Sequence, residues 1–363
     1  MNNSMKFLFP ITLLALTSCG AKTPTKVDFS LTDLGNSVEI HTELQLRYIN
    51  SEDYTTTSGI AAGSSEKSIP EPVHLSWDCD YHGGKKCTDF TVELYEVNEE
   101  SNKWTYSSNE SSLDVYNLKI NTEYGYSVTA NYGETNFTSE KGTFKTTSKA
   151  PRNLFIDNVI NARDLGGYGL KQGLLFRNGR FNETDGTIII TEDGLKTMKE
   201  VLKIKTEIDL RRDDEYGDIT VSPLGEDVNY RHLAMVYGGQ NVLATADNRP
   251  SIKAFFETLA VEENYPISFH CAIGKDRTGC MAYVVGALCG VEEEYLYRDY
   301  LFSNFAKIGG MCQVSDIDNR YGMTLKDYAN GTTLQEKTYN YLHEVIGVST
   351  NDLDSIRNIL IDK

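Results

Sequence analysis

Basic residues are in short supply. Against 52 Asp and Glu the 363-residue chain sets 35 Lys and Arg, a formal charge of -17. Neutralising nucleic-acid phosphates needs a basic face, so no nucleic-acid partner is expected. A small pocket with two or three cations remains compatible with that balance. Cysteine is scarce as well. The seven residues, at 19, 79, 87, 271, 280, 289 and 312, are too few and too scattered for a disulfide scaffold. Beyond the N-terminus no apolar run reaches the ~20 residues that a spanning helix needs. What is present, 40% hydrophobic and 24% charged residues, is the composition of a folded globular protein, and the length allows about two domains.

One apolar run does occur, at the start. Lys6 precedes Phe7 to Leu16, too short to span a bilayer and shaped like a secretory signal. It ends in Leu16-Thr17-Ser18-Cys19-Gly20, which resembles a bacterial lipoprotein signal. That resemblance implies removal of residues 1–18, acylation of Cys19 and a polar tether over 19–26. Several acyl chains on one residue anchor stably, where one binds only marginally. The expected location is the bacterial cell envelope, lipid-anchored and outside the cytoplasm, on a periplasmic or surface face.

From Val27 to Thr147 the chain is rich in Thr, Ser, Tyr and Val. Val73–Trp77, Phe90–Val97 and Tyr124–Ala130 alternate apolar and polar residues, the period of a strand, while Asn98–Lys103 and Asn131–Glu134 are turn-like. Short strands without a helical period predict a β-sandwich. Leu118–Tyr124 resembles the tyrosine corner of immunoglobulin-like and fibronectin type III domains, and Trp77 stands where the latter family keeps a core Trp. An all-β immunoglobulin-like domain is therefore expected over 27–148. Its Thr55–Ser65 stretch is expected to be flexible. Cys79 and Cys87 bracket a predicted hairpin and can pair in an oxidising compartment, or remain as structural thiols. No catalytic cluster is found in this half; spacing, or binding of another protein or a glycan, is its expected role.

The second half carries the chemistry. Tyr265–His270 predicts a short buried strand, Cys271–Gly279 a tight loop, and Met281–Leu288 an apolar helix. Strand, loop and helix in that order make an anion cradle: loop amides point inward and the helix N-terminus adds a positive dipole end. Gly274 lets the backbone turn. A Cys at the loop's first position is expected to have a lowered pKa. Arg277, six positions on, returns over the mouth, where its fork clasps two phosphate oxygens.

This Cys-x5-Arg-Thr loop after a His resembles the signature of protein tyrosine and dual-specificity phosphatases. Asn161–Tyr168, Leu175–Arg177, Ile208–Arg211 and Gly274–Gly279, in that order, sharpen the resemblance to bacterial tyrosine phosphatases with a Gly-Lys-Asp-Arg loop, a group acting on phosphotyrosine and phosphoinositides. It covers about 153 to the C-terminus. It implies an α/β tyrosine-phosphatase fold over 149–363, with a central, mainly parallel sheet flanked by helices. It also implies a phosphocysteine mechanism with no metal or cofactor: Cys271 attacks phosphorus, Arg277 and the amides of Ala272, Ile273, Gly274, Lys275, Thr278 and Gly279 bind the oxygens, Thr278 assists departure of the sulfur, and His270 orders the loop. The implied substrate is a phosphorylated protein, lipid or inositol.

Two residues compete as proton donor. Asp276 sits at the mouth of an anion site, where a carboxyl tends to keep its proton. Asp209 ends the apolar strand Thr206–Leu210 and is expected near the same rim, with Asp213 and Asp214 following in a mobile loop. Lys275 either meets a second anionic group or faces solvent. Arg163 and Asp164 bridge loop to core, or Arg163 clasps substrate; Arg211 buttresses the site through carboxylates. Tyr237–Asn248 is expected to act as a lid. Cys280, Cys289 and Cys312 are expected to pack in the core, and the low-pKa Cys271 is an oxidation hazard outside the cytoplasm. A silent phosphate-binding adhesion protein and a rhodanese-like sulfurtransferase are the rival functions.

Overall fold

The computed structural model describes residues 22–362 apart from 36, 148 and 238–240. The signal 1–18 and Cys19 lie outside the described residues.

Among the described residues the N-terminal half contains eight strands: β1 (Lys26–Leu31), β2 (Val73–His82), β3 (Phe90–Glu96), β4 (Glu99–Ser108), β5 (Ser112–Val115), β6 (Glu123–Tyr132), β7 (Thr135–Thr138) and β8 (Gly142–Lys145). They form two antiparallel sheets, β1-β2-β5 and β4-β3-β6-β7, with β8 also pairing with β6. The alternating residues of both sheets meet in one core: Val73, Leu75 and Trp77 from β2 face Phe90, Val92 and Leu94 from β3 and Tyr126 and Val128 from β6. Trp77 meets Phe90 edge-on at 5.3 Å. The Tyr124 hydroxyl accepts the Lys119 N–H at 2.8 Å, tying the start of β6 to the backbone five residues upstream. The turn expected over Asn98–Lys103 is confined to Val97–Asn98, because β4 pairs with β3 from Glu99 onward.

Two expectations for this half are corrected. Cys79 and Cys87 are free thiols, not a disulfide. The Cys87 sulfur is turned toward backbone, donating to Asp89 O at 3.0 Å and lying 3.5 Å from Asn131 O. The stretch between β1 and β2 is not a loose loop. Thr42 and Gln45 form a capping box that starts a helix, Glu43–Ile49, and Tyr48 packs on Phe302 and Phe305 at 6.2 and 5.7 Å. Tyr48 and Ala61 belong to the core of the C-terminal half.

That half is built on a six-stranded sheet. Its strands are β9 (Arg152–Asn153), β10 (Arg163–Asp164), β11 (Leu175–Asn178), β12 (Thr206–Asp209), β13 (Asn229–His232) and β14 (Ile267–His270), in the order β13-β12-β14-β11-β10-β9. The four strands from β13 to β11 are parallel; β10 and β9 are antiparallel. All residues of β11, β12 and β14 are buried, as expected for parallel strands covered on both faces. The helix Asp276–Cys289 is buried all round from Arg277 onward, so it runs through the core, and Gly290 ends it in the left-handed conformation (φ 81°). Helices Arg249–Leu259, Glu293–Phe302, Leu334–Tyr341 and Thr350–Leu360 pack around it in the same core.

Candidate active site

β14 delivers the site. Its last residue, His270, is fully buried, and the chain turns at once through Cys271 to Lys275 before the long helix begins at Asp276. Gly274 makes the turn at φ 68°, and a Cβ there would stand 2.6 Å from Asn178 O, so only glycine fits. The neighbouring backbone holds the loop from outside: Arg180 N–H donates to Ala272 O at 3.2 Å and Arg177 Nη2 to Gly274 O at 2.7 Å. With its carbonyls tied outward, the loop is left with amides for an anion.

Cys271 is buried. Burial pushes its thiol up, yet the Arg277 charge and the hydroxyl and amide of Thr278 outweigh that, and the thiol is held below its usual range. The Thr278 hydroxyl is buried and has no hydrogen-bond partner among the described residues. Arg277 is also buried. Its Nη1 donates to Glu215 and, at 3.4 Å, to Met235 O, while Nε has no partner and the guanidinium lies 5.8 Å from the Tyr237 ring. One edge of the fork is thus fixed by a carboxylate and another is free for an anion.

Asp276 opens the helix with its side chain only 12% exposed. Burial raises its carboxyl above the usual range despite Lys275 and Arg320 nearby. Its Oδ1 has no hydrogen-bond partner, with Arg320 Nη1 3.6 Å away. A carboxyl whose pKa is raised therefore stands five residues from a thiol whose pKa is lowered.

A family model described as "Tyrosine phosphatase family" matches residues 154–362, more than half of the chain. The chain belongs to the tyrosine phosphatase family. A tyrosine-protein phosphatase of Nostoc commune is 28% identical over 120 residues, a match covering 28% of this chain and 41% of that one. The chain thus spans about two fifths of the length of the curated relative it matches. Among solved structures, the core catalytic domain of the PP-IP phosphatase SIW14 from S. cerevisiae aligns at 17% identity over 41% of this chain and 80% of its own, with a TM-score of 0.29. P. aeruginosa TpbA aligns at 14% over 55% and 89%, with a TM-score of 0.27.

In this family member Asp209 is not at the rim. It is fully buried beneath the loop, with both oxygens 3.0 Å from Arg211 Nε, Oδ2 2.6 Å from Arg211 Nη2 and the Tyr230 hydroxyl at 3.3 Å. Burial pushes the carboxyl up, but His270 and Arg211 outweigh this and hold it below its usual range. A buried anion held by a bidentate guanidinium is a poor proton donor. Arg211, also fully buried, reaches on to Asn182 Oδ1 at 2.6 Å and to Glu215 O at 3.1 Å, and so sets the loop that carries Glu215. His270 Nε2 lies 2.8 Å from Glu207 Oε1. Burial opposes its protonation, but Asp209 and Glu207 outweigh this and raise its pKa. Asp213 and Asp214 are highly exposed.

Arg163 takes the structural alternative. It is fully buried, with Nε 2.7 Å from Asp299 Oδ1 and Nη1 2.6 Å from Asn161 Oδ1. Asp164 pairs with Arg152 at 2.8 Å and accepts the N–H groups of Gly166 and Gly173 at 2.8 and 2.6 Å. Asp299 also pairs with Arg177. Arg163→Met strips one cation from this buried cluster and is expected to cost roughly 3 kcal/mol of unfolding free energy in urea titration, because a buried carboxylate loses a partner. A loss under about 1 kcal/mol would place the pair among the weak ones.

Glu215 and Arg320 were not expected at the site. The signal for Glu215 is only a carboxylate six residues past the end of β12. Lys275 Nζ donates to Met311 O at 3.0 Å and makes no ion pair among the described residues. The expected lid is anchored where it is described: Asn241 Nδ2 donates to Arg320 O at 2.8 Å, and Leu243 O accepts the Tyr341 hydroxyl at 2.9 Å. Cys280, Cys289 and Cys312 are buried thiols whose pKa values burial pushes up, the last two to about 12.

Proposed function

We propose that this protein is a cysteine-dependent phosphatase that hydrolyses phosphomonoesters through a phosphocysteine. The observation that supports it best is the loop itself, where Cys271 opens a turn whose Ala272 and Gly274 carbonyls are bonded outward and the buried Arg277 guanidinium keeps an unpartnered Nε. In the first step the Cys271 sulfur forms a bond to phosphorus and the ester oxygen leaves with its electron pair, taking a proton from Asp276. In the second, water gives a proton to the Asp276 carboxylate and bonds to phosphorus; the thiolate departs, eased by the Thr278 hydroxyl. Arg277 and the amides of Ala272 to Lys275 hold the equatorial oxygens throughout; the Gly279 N–H, expected among them, is committed to Lys275 O at 2.9 Å, and the Thr278 amide acts on the sulfur. Phosphotyrosine is the first candidate substrate, followed by phosphoserine, phosphothreonine and phosphoinositide.

For the N-terminal half we propose a fibronectin type III-like domain. The paired antiparallel sheets, the Tyr124–Lys119 bond and the buried Trp77 support it. The sequence of residues 1–26 supports a lipid anchor at Cys19 in a bacterial envelope.

The proton donor gives the sharpest test. Activity should rise with pH as the Cys271 thiol ionises and fall as Asp276 loses its proton. The thiol is held low and the acid high, so the rise comes earlier than for a free thiol and the fall later than for a free carboxyl. Asp276→Asn is expected to lower kcat on phenyl phosphate about 100-fold and to remove the alkaline fall. The loss should shrink on p-nitrophenyl phosphate, whose leaving group needs no proton. An unaltered pH profile would move the acid elsewhere.

A further inference from the structure

The segment between β1 and β2 leaves the N-terminal sheets and lies on the C-terminal half, where hydrogen bonds lead from it to the Cys271–Lys275 loop by two routes. The first starts at Gly63. Its N–H donates to Asn304 O at 2.8 Å, and its carbonyl accepts the N–H groups of Ile308 and Gly309 at 3.1 and 3.0 Å. Lys67 N–H donates to Phe305 O at 2.6 Å, and Glu66 accepts the Lys307 N–H at 3.1 Å. The segment held in this way runs into Met311 and Cys312. Asn304 clamps both backbone groups of Cys312, at 2.7 and 3.0 Å, and Met311 O accepts Lys275 Nζ at 3.0 Å. The second route starts at Arg298, whose guanidinium donates to Tyr48 O and Ser51 O at 3.3 and 2.7 Å. The next residue, Asp299, pairs with Arg177, and Arg177 donates to Gly274 O at 2.7 Å.

Lys275 has three ammonium donors, and one is committed to the Met311 carbonyl. The others have no partner among the described residues and can meet a second anionic group, provided the ammonium is held beside the loop. The 304–311 segment does the holding, and Gly63 holds that segment. We infer that residues 42–67 are a positioning element of the phosphate site: by fixing 304–311 they place Lys275, and so set the preference for ligands with more than one phosphate. The inference rests on the phosphatase reading for its biological meaning, and coupling through contiguous packed elements is its physical basis.

Gly63 is the point to perturb. It stands at φ 68°, and a Cβ there would lie 2.0 Å from Gly310 O. Titration calorimetry on the full chain would give dissociation constants for inorganic phosphate and for inositol hexakisphosphate. The wild type should bind the hexakisphosphate more tightly. Gly63→Val and Lys275→Met should each shrink the ratio of the two constants about tenfold, and the double variant should lose no more than either alone. Glu66→Ala should shift the ratio the same way by about threefold, and it decides the matter if Gly63→Val does not fold. A wild-type ratio near one, an unaltered ratio in a folded Gly63 or Glu66 variant, or additive losses in the double variant would overturn the inference. Turnover of p-nitrophenyl phosphate is measured separately. Its absence with these ratios intact would sink the phosphatase reading and leave the positioning role standing.

Discussion

Cys271→Ser is expected to reduce phosphate release from p-nitrophenyl phosphate by roughly 10⁴-fold or more, the scale seen when a covalent nucleophile is removed. The reason lies in what the loop stabilises. Arg277 and the two Thr278 donors hold the thiol below its usual pKa against the pull of burial. A thiol lowered in this way ionises at a lower pH than a free one. A serine hydroxyl starts far higher, and the same donors leave it protonated. The change is nearly isosteric, so the amides and Arg277 stay in place and inorganic phosphate should still bind within about threefold of wild type. Lost turnover with retained binding is the signature. Turnover in the Ser variant within tenfold of wild type would show that the sulfur is not the attacking atom.

The loop was legible because its parts are contiguous. Strand, Cys271, Gly274, Arg277 and helix fall within one short run, and the fold only had to close it. What the sequence left hidden is non-local. Glu215 reaches Arg277 across 62 positions, and nothing in its neighbourhood marks it apart from the exposed Asp213 and Asp214. Asp209 was misplaced because β12 is buried on both faces, so its pattern does not tell the rim from the core. Arg211, a fully buried guanidinium, needs a buried counter-ion; Asp209 and Asp213 are equally near in sequence, and the fold gives it Asp209 while Asp213 is exposed. The β1–β2 connection misled through composition. Its Thr, Ser and Gly residues suit a loop, but backbone groups at Gly63 and Lys67 bond to residues some 240 positions away, and composition is blind to such pairing. In the N-terminal half, β2, β3 and β6 were legible because one face meets the core and period-two alternation survives.

Arg277→Ala is expected to lower kcat/KM roughly 10³-fold, on the scale of removing a preorganised donor to transition-state charge. Two effects combine. The fork that would hold two phosphate oxygens is gone, and with it the largest influence lowering the Cys271 pKa against burial. The second effect has its own readout. Alkylation of Cys271 by iodoacetamide, followed against pH, should shift to higher pH in the variant, because only Thr278 then opposes burial. Arg277→Lys separates the contributions. It restores a charge near the sulfur and should recover part of the alkylation shift. It does not restore the planar fork or the bond geometry to Glu215, so kcat/KM should stay at least about 100-fold down. Full recovery by Lys would mean that Arg277 acts as a point charge and that the Glu215 contact does not orient it.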